Sequence, residues 1–190
     1  MDFKGKNILV VGGSSGIGLR LVNMLTSQGA QVYNASRTKS EEWSDRLIHI
    51  PIDVLTNLDL IGNQLPEKLH GLVYAVGSIN LKPFSRYTED DFIHDYKLNV
   101  TGAVRTIQLA YRSLRNSGAA SIVLISSVAA KAGMPYHASI AAAKGGVEGL
   151  ALSLAAEFAS AISFLLSDES GWISGQVLGI DGGMGNLKTL

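Results

Sequence analysis

The sequence contains no cysteine among its 190 residues. Disulfide bonds, thiolate catalysis and cysteine-based metal sites are therefore excluded. The four histidines stand at positions 49, 70, 94 and 137, and their spacing does not match a set of metal ligands. We therefore expect no metal site.

An excess of charge of either sign is also lacking, because 16 lysines and arginines balance 16 aspartates and glutamates. A formal net charge of zero gives no electrostatic reason to expect nucleic acid or an anionic membrane as a partner. No apolar run approaches the roughly 20 residues that span a bilayer, and residues 1–7 lack the apolar stretch of a signal peptide. We expect a soluble, cytoplasmic protein without a nucleic-acid or membrane partner.

The length of the chain and the order of its apolar segments favour a single domain over residues 1–190. Short β-branched runs alternate with segments of helical periodicity, which predicts a parallel sheet with helices on both faces, the Rossmann-type doubly wound α/β class. Strands are predicted at 6–11, 30–36, 47–53, 70–77, 120–126 and 175–181, and helices at 19–29, 88–118 and about 137–158.

A glycine-rich loop lies between the first predicted strand and the first predicted helix. Gly12 allows a sharp turn, Gly16 allows the backbone to approach a pyrophosphate, and Gly18 allows the helix to pack closely on the strand. The free N–H groups of the helix N-terminus then face the phosphates. Such glycines also occur in plain turns, but their place in the chain favours dinucleotide binding by the whole loop, including Ser14, Ser15 and Ile17.

The end of the second predicted strand indicates the type of dinucleotide. An NAD-selective site carries a carboxylate there for the ribose 2′-OH, whereas here Ser36 and Arg37 are followed by no acid until Glu41. The planar guanidinium of Arg37 suits a 2′-phosphate, although an arginine at a strand end is also a common surface residue. We therefore favour NADP(H) over NAD(H).

Further motifs make the chain resemble the short-chain dehydrogenase/reductase family over nearly its whole length. The resemblance rests on the pattern GGSSGIG, the acid in IDV, the asparagine in KLNVTG, the second serine of ISS, the lysine in AAAKGG and the closing GQVLGIDGG. The residues that match are Asp53 with its neighbour Val54, Gly77, Asn99, Ser127 and Lys144.

The resemblance implies a function for each match. Asp53 and Val54 would contact the adenine, and Ser127 would hydrogen-bond the carbonyl oxygen of a substrate. Lys144 would hold the nicotinamide ribose, and Asn99 would position it through a water. The family's activity is hydride transfer between a nicotinamide and a carbonyl/alcohol substrate. A solvated helix lysine is the plainer interpretation of Lys144, but the small residues around it indicate close packing.

The catalytic tyrosine of the family is missing. It lies thirteen residues after the serine and four before the lysine, and both counts lead to Ile140. A phenol with a pKa near 10 exchanges protons readily only when an adjacent ammonium lowers that pKa. Isoleucine has no proton to give.

Four sources of the missing proton remain open. Tyr136 lies four residues before Ile140, about 6 Å along a helix if the helix extends that far, and histidines such as His137 exchange protons under physiological conditions. A bound water and the substrate itself are the third and fourth sources, and the remaining alternative is that nothing supplies the proton. The chain is then either an enzyme with altered proton chemistry or an NADP(H)-binding protein with a sensing or structural role.

Two other departures concern the fold. After the fourth strand only Gly77 remains of the family's Asn-Asn-Ala-Gly motif, since the segment reads YAVG. A sixth strand and a substrate-covering segment are absent after residue 159, and a final strand without its neighbour would lose ladder hydrogen bonds. We therefore expect that residues are missing from the sequence between Ala159 and Ser160, the alternative being a real deletion. The helices at 89–116 and 137–158 resemble the family's dimerisation helices, so we expect a homodimer or homotetramer.

Overall fold

A computed structural model describes residues 2–157 of the chain. These residues form two compact units that alternate along the sequence. The first unit consists of the chain up to Val76 together with Gly102–Leu124, and the second of Gly77–Thr101 together with the chain from Ile125 onward. The prediction of one domain over residues 1–190 stays a prediction.

The first unit contains a parallel sheet of five strands in the order β3-β2-β1-β4-β5. This order places β1 at the centre, where a Rossmann-type sheet reverses its direction of winding. The predicted doubly wound α/β class is confirmed. The strands are β1 Asn7–Val11, β2 Gln31–Ser36, β3 Ile48–Pro51, β4 Gly71–Tyr74 and β5 Ser121–Leu124.

Four α-helices are present among the described residues. In the first unit α1 packs against β1 and β2, and α3 packs against β4. In the second unit α4 packs against α2. Their bounds are α1 Gly16–Ser27, α2 Glu89–Tyr96, α3 Gly102–Asn116 and α4 Ala138–Glu157.

Alternation along β1 builds the core beneath α1. Ile8 and Val10 point to the same face of the sheet and pack with Val22 and Leu25 of α1 and Val32 of β2. Full burial of each such side chain stabilises the fold by about 1.5–3 kcal/mol. Because Val10, Val22 and Val32 are all fully buried, the end of β1, and hence the start of the glycine-rich loop, has a fixed position.

The long helix predicted over residues 88–118 is present, but a π-helical turn interrupts it. Thr88 is the N-cap as predicted, and it forms a reciprocal capping box with Asp91. Lys97–Thr101 form the π turn, which carries Asn99. The helical path ends at Asn116, and Gly118 then adopts φ +78°. Insertions of this kind are frequent at functional sites.

Two predictions concern residues that the structure does not describe. The last strand at 175–181 and the segment expected between Ala159 and Ser160 lie beyond residue 157. Between residues 2 and 157 no helix is long and apolar enough to cross a membrane.

Candidate cofactor and catalytic site

The glycine-rich loop of the first unit is shaped by two close backbone approaches. Gly12 has φ +95°, and a Cβ there would lie 3.0 Å from the backbone of Ala75. A Cβ on Gly18 would overlap the carbonyl oxygen of Gly12. Both positions therefore require glycine, as the sequence predicted, and the loop turns tightly enough for α1 to begin at Gly16, where φ is +53°.

The N-terminus of α1 is suited to an anion. Its N-cap is Ser15, whose side chain makes no capping hydrogen bond, and the first turn contains no acidic residue. The first N–H groups of a helix lack intrahelical acceptors and carry partial positive charge. Ser14, Ser15 and Ile17 border these groups, and Ile17 is 59% exposed. These features fit the pyrophosphate of a dinucleotide.

The end of β2 separates a buried residue from an exposed one. Ser36 is buried, and its hydroxyl donates to the backbone oxygen of Thr38 at 2.9 Å. Arg37 comes next and is exposed. Arg37 therefore presents an exposed base at this strand end, and its contact with a 2′-phosphate stays a prediction.

After β3 the predicted adenine-contacting residues form a tight turn. One carboxylate oxygen of Asp53 accepts a hydrogen bond from the N–H of Leu55 at 2.9 Å, and the N–H of Asp53 donates to the side chain of Asn57 at 2.6 Å. Val54 is buried. Asp53 is thus held in a fixed turn of the first unit by these two hydrogen bonds.

Lys144 lies on α4 in the second unit and is only 7% exposed. Its ammonium donates to the backbone oxygen of Ile125 at 2.7 Å. Burial lowers the pKa of Lys144 to about 8, because the charged form loses its hydration. The plainer interpretation, a solvated helix lysine, is wrong.

Asn99 and Gly77 complete the surroundings of Lys144. The π turn buries Asn99 fully, and its amide nitrogen donates to the backbone oxygen of Asp95 at 2.8 Å. Its side-chain oxygen is buried and has no partner among residues 2–157. A Cβ on Gly77 would lie 3.5 Å from that oxygen and 3.6 Å from Lys144 Nζ. The structure thus brings Gly77, Asn99 and Lys144 together around one small space with an unused acceptor.

Ser127 lies two residues beyond the carbonyl that holds Lys144. It begins a short 3-10 turn, Val128–Ala130, and its hydroxyl oxygen accepts from the N–H of Ala129 at 3.2 Å. The hydroxyl hydrogen remains available to a substrate oxygen. Ser126 instead donates to Glu148 of α4 at 2.9 Å, and the role of Ser127 toward a substrate stays a prediction.

Tyr136 and His137, the two side chains considered as proton donors, both lie before the start of α4. Ile140 is buried in the first turns of α4, which begins at Ala138. Tyr136 precedes the helix with φ +66°, outside the right-handed helical region, and its side chain is 60% exposed. The idea that a helix extends back to Tyr136 is therefore wrong. His137 also precedes the helix, with Nδ1 2.6 Å from the backbone oxygen of Pro135.

A buried carboxylate in the second unit was not predicted. Asp95 is fully buried and accepts hydrogen bonds from Ser139 at 2.6 Å and Ser78 at 3.1 Å. Its backbone oxygen also holds Asn99. Asp95 therefore connects the π turn to the residue after Gly77 and to the residue before Ile140. Asp95 lies one residue before the end of α2, and nothing in the sequence around it indicated that it would be buried.

Comparisons with known proteins show the family and the fold of this chain. A family model described as short chain dehydrogenase matches residues 6–164. A tropinone reductase homolog of Arabidopsis thaliana is 31% identical over 84% of this chain and 66% of its own length. Senescence-associated protein 13 of the same plant is 33% identical over 82% of this chain and 64% of its own length. The chain thus spans less than two thirds of these relatives.

A third relative covers more of both sequences. The 3-oxoacyl-(acyl-carrier-protein) reductase MabA of Mycobacterium avium is 27% identical over 96% of this chain and 91% of its own length. That alignment spans 234 positions, whereas this chain has 190 residues. The reductase therefore carries residues that have no counterpart here, and their placement after Ala159 stays a prediction.

Solved structures share the fold. One titled short chain dehydrogenase/reductase family protein superposes with a TM-score of 0.84 and 23% identity, over 98% of this chain and 100% of that one. A short-chain dehydrogenase from Streptomyces avermitilis superposes with a TM-score of 0.74 and 26% identity, over 81% of this chain and 61% of its own. At 23% identity the likeness shows the fold alone.

Proposed function

The chain belongs to the short-chain dehydrogenase family, whose model matches residues 6–164, and from this premise we propose that it is an NADP(H)-dependent oxidoreductase that interconverts a carbonyl and an alcohol. The observation that carries the proposal is the buried Lys144 beside Asn99 and Gly77. Burying an ammonium is costly, and an ordinary helix would place a lysine in solvent.

Two features of the first unit support the proposed cofactor: the glycine-rich loop and the end of β2. The glycine-rich loop and the N-terminus of α1, from Gly12 to Gly18, would hold the pyrophosphate. Arg37 would bind the 2′-phosphate, since this strand end offers a base and no carboxylate. Asp53 and Val54 would border the adenine. NADP(H) is therefore favoured over NAD(H).

The chemistry divides between the cofactor and the chain. The nicotinamide, when bound, supplies or accepts the hydride. Ser127 would donate its hydroxyl hydrogen to the substrate oxygen and stabilise the charge that develops there. Lys144 would bind the ribose hydroxyls, and the unpartnered oxygen of Asn99 would accept from a water beside it.

Lys144 is also our proposed source of the proton. Ile140 has none to give, and Tyr136 is exposed on a segment that precedes α4. The ammonium of Lys144 is buried and has a pKa lowered to about 8 by burial, so it both carries and releases a proton near neutral pH. Its Nζ would give the proton to the substrate oxygen, either directly or through a water that hydrogen-bonds to Asn99. Tyr136 and His137 stay as surrogates to be tested.

The activity test is NADPH oxidation against a panel of ketones and aldehydes, including 3-oxoacyl and bicyclic amino ketones because of the relatives' names. The full-length protein and its Lys144→Ala and Ile140→Tyr variants are compared. Turnover by the parent that is lost in Lys144→Ala supports the proposal, and loss in Tyr136→Phe or His137→Ala alone assigns the proton to that residue.

A second function is favoured by the buried isoleucine itself. A chain that binds NADPH without turnover would serve a sensing or structural role, and Ile140 would be the reason for its inactivity. This alternative holds if the parent binds NADPH, reduces no carbonyl in the panel, and gains activity only as Ile140→Tyr.

Assembly and location are also proposals. The small residues of α4 and the exposed Leu152 on it suit a helix–helix contact, so we propose a homodimer or homotetramer. A monomeric mass by light scattering would contradict this. We propose a cytoplasmic location on the sequence pattern alone, and cell fractionation tests it.

A further inference from the structure

Gly13, in the middle of the glycine-rich loop, is held at both of its peptide groups by side chains that are distant in sequence. Its N–H donates to the side-chain oxygen of Asn34 on β2 at 2.9 Å. Its carbonyl oxygen accepts from the indole N–H of Trp43 at 2.9 Å. Asn34 is fully buried, so no water competes for its bond to the loop.

The packing around Gly13 leaves no room for adjustment. A Cβ at this position would overlap the side-chain oxygen of Asn34 and lie 2.7 Å from Val22 of α1. The loop is therefore enclosed between β2 and α1 at the point where it turns toward the helix N-terminus. Loss of the hydrogen bond from Asn34 or from Trp43 would leave one peptide group of Gly13 without its fixed partner.

The same network continues to the end of β2. The amide nitrogen of Asn34 donates to the hydroxyl of Ser36 at 3.1 Å, and Nε2 of His49 lies 3.2 Å from the same oxygen. The rings of Trp43 and His49 pack with their centroids 4.9 Å apart. With its own hydrogen donated to Thr38, the buried Ser36 hydroxyl is fully used, so it is a connector in this network and not a ligand.

We propose that Trp43 and Asn34 are positioning residues for the cofactor, which hold the glycine-rich loop in the shape that receives the pyrophosphate. The inference rests on the proposed dinucleotide function and adds to it two residues that no motif contains. The pyrophosphate is common to NADPH and NADH. Loss of the Trp43 bond therefore weakens both dinucleotides by the same factor, in contrast to loss of Arg37.

The test uses the full chain with NADPH and NADH as probes and isothermal titration calorimetry as the readout. Trp43→Phe keeps an aromatic ring against His49 and removes the indole N–H together with the five-membered ring that carries it. Gln31→Met is the matched control, because Gln31 donates to the backbone oxygen of Arg46 at 2.9 Å and so holds the same 37–47 segment without contacting Gly13. Melting temperatures show that each variant is folded.

We expect Trp43→Phe to weaken both dinucleotides about 3- to 10-fold, the effect of one hydrogen bond, and Gln31→Met to bind as the parent does. Parent affinity in Trp43→Phe overturns the proposal. An equal loss in Gln31→Met also overturns it, because the segment as a whole would then be responsible. A loss confined to NADPH would assign Trp43 to the 2′-phosphate instead and contradict the proposal. A parent that binds neither dinucleotide refutes the cofactor function itself, together with this inference.

Discussion

The ammonium of Lys144 donates to the backbone oxygen of Ile125 at a distance of 2.7 Å. The acceptor, Ile125, lies two residues before Ser127 in the sequence, and a Cβ on Gly77 would lie 3.6 Å from the same Nζ and 3.5 Å from the side-chain oxygen of Asn99. A carbonyl oxygen favours the charged amine, but burial disfavours it more, so that the pKa of Lys144 is lowered to about 8. The same ammonium therefore makes a direct hydrogen bond to the backbone and has a pKa close to neutral pH.

The first prediction concerns the pH dependence of reduction. If Lys144 gives its proton to the substrate oxygen, the reactive form is the ammonium, which is present below its pKa of about 8. We expect kcat/KM for NADPH-dependent reduction to be constant below that pH and to fall about tenfold per pH unit above it, because kcat/KM reports the pKa of the free enzyme. Stopped-flow measurement between pH 6 and 10 checks this. The same break in Lys144→Arg would contradict it, since arginine does not titrate there.

The second prediction concerns stability and uses the same shift. The unfolded chain binds a proton at Lys144 up to pH 10.5, whereas the folded chain releases it near pH 8, so stability rises with pH through this window. Relative to Lys144→Met, the parent should gain about 2–3 kcal/mol in the free energy of unfolding between pH 7 and pH 10. Urea denaturation at both pH values measures it. Parallel stabilities of the two proteins across the window would show that Lys144 is solvated.

The sequence was sufficient for the parts of the fold that depend on local patterns. Apolar runs predicted the five strands, and Thr88 predicted the start of α2, because strand burial and capping are encoded within a few residues. The glycine spacing likewise predicted the loop at Gly12 and Gly18, where a Cβ meets the backbone.

Contacts between distant residues were not predictable in this way. Asp95 and Trp43 stand in segments that are ordinary in sequence, and only the folded chain brings them to Ser139 and Gly13, respectively. Tyr136 lies outside α4 and has a positive φ. A positive φ is uncommon for a tyrosine, so the sequence pattern did not predict it. Residue types near a site are thus predictable from motifs, whereas the residues that hold them in place are not.

The third prediction tests the buried carboxylate. Asp95→Ala leaves the hydroxyls of Ser139 and Ser78 without their acceptor in a buried setting, and hydrogen bonds to charged groups are worth about 1.5–3 kcal/mol each. We expect a loss of at least about 3 kcal/mol in the free energy of unfolding by urea. Asp90→Ala, an exposed position on the same helix, is the control and should change stability by less than about 0.5 kcal/mol. Equal losses in the two variants would refute the proposed role of Asp95.

The fourth prediction concerns cofactor choice. Arg37→Ser removes the guanidinium at the end of β2 and should weaken NADPH about 10- to 100-fold, the worth of charge-assisted hydrogen bonds, while NADH binding stays the same. Calorimetric titration with both dinucleotides measures the ratio. Arg112→Ser, at an exposed site on α3, controls for loss of surface charge. If NADH binds more tightly than NADPH to the parent, the assignment of NADP(H) is wrong.

The fifth prediction contrasts two glycines that meet different surroundings. A Cβ on Gly18 would overlap the carbonyl oxygen of Gly12, whereas a Cβ on Gly149 of α4 would meet nothing within 4 Å. The first contact is with backbone and cannot be relieved by a rotamer change, so Gly18→Ala should cost about 1–3 kcal/mol and abolish dinucleotide binding. Gly149→Ala should stabilise the protein by about 0.5–1 kcal/mol, because alanine favours a helix interior. Chemical denaturation and NADPH titration of both variants decide the matter, and a Gly18→Ala protein that binds NADPH with parent affinity would show that α1 does not approach the loop as described.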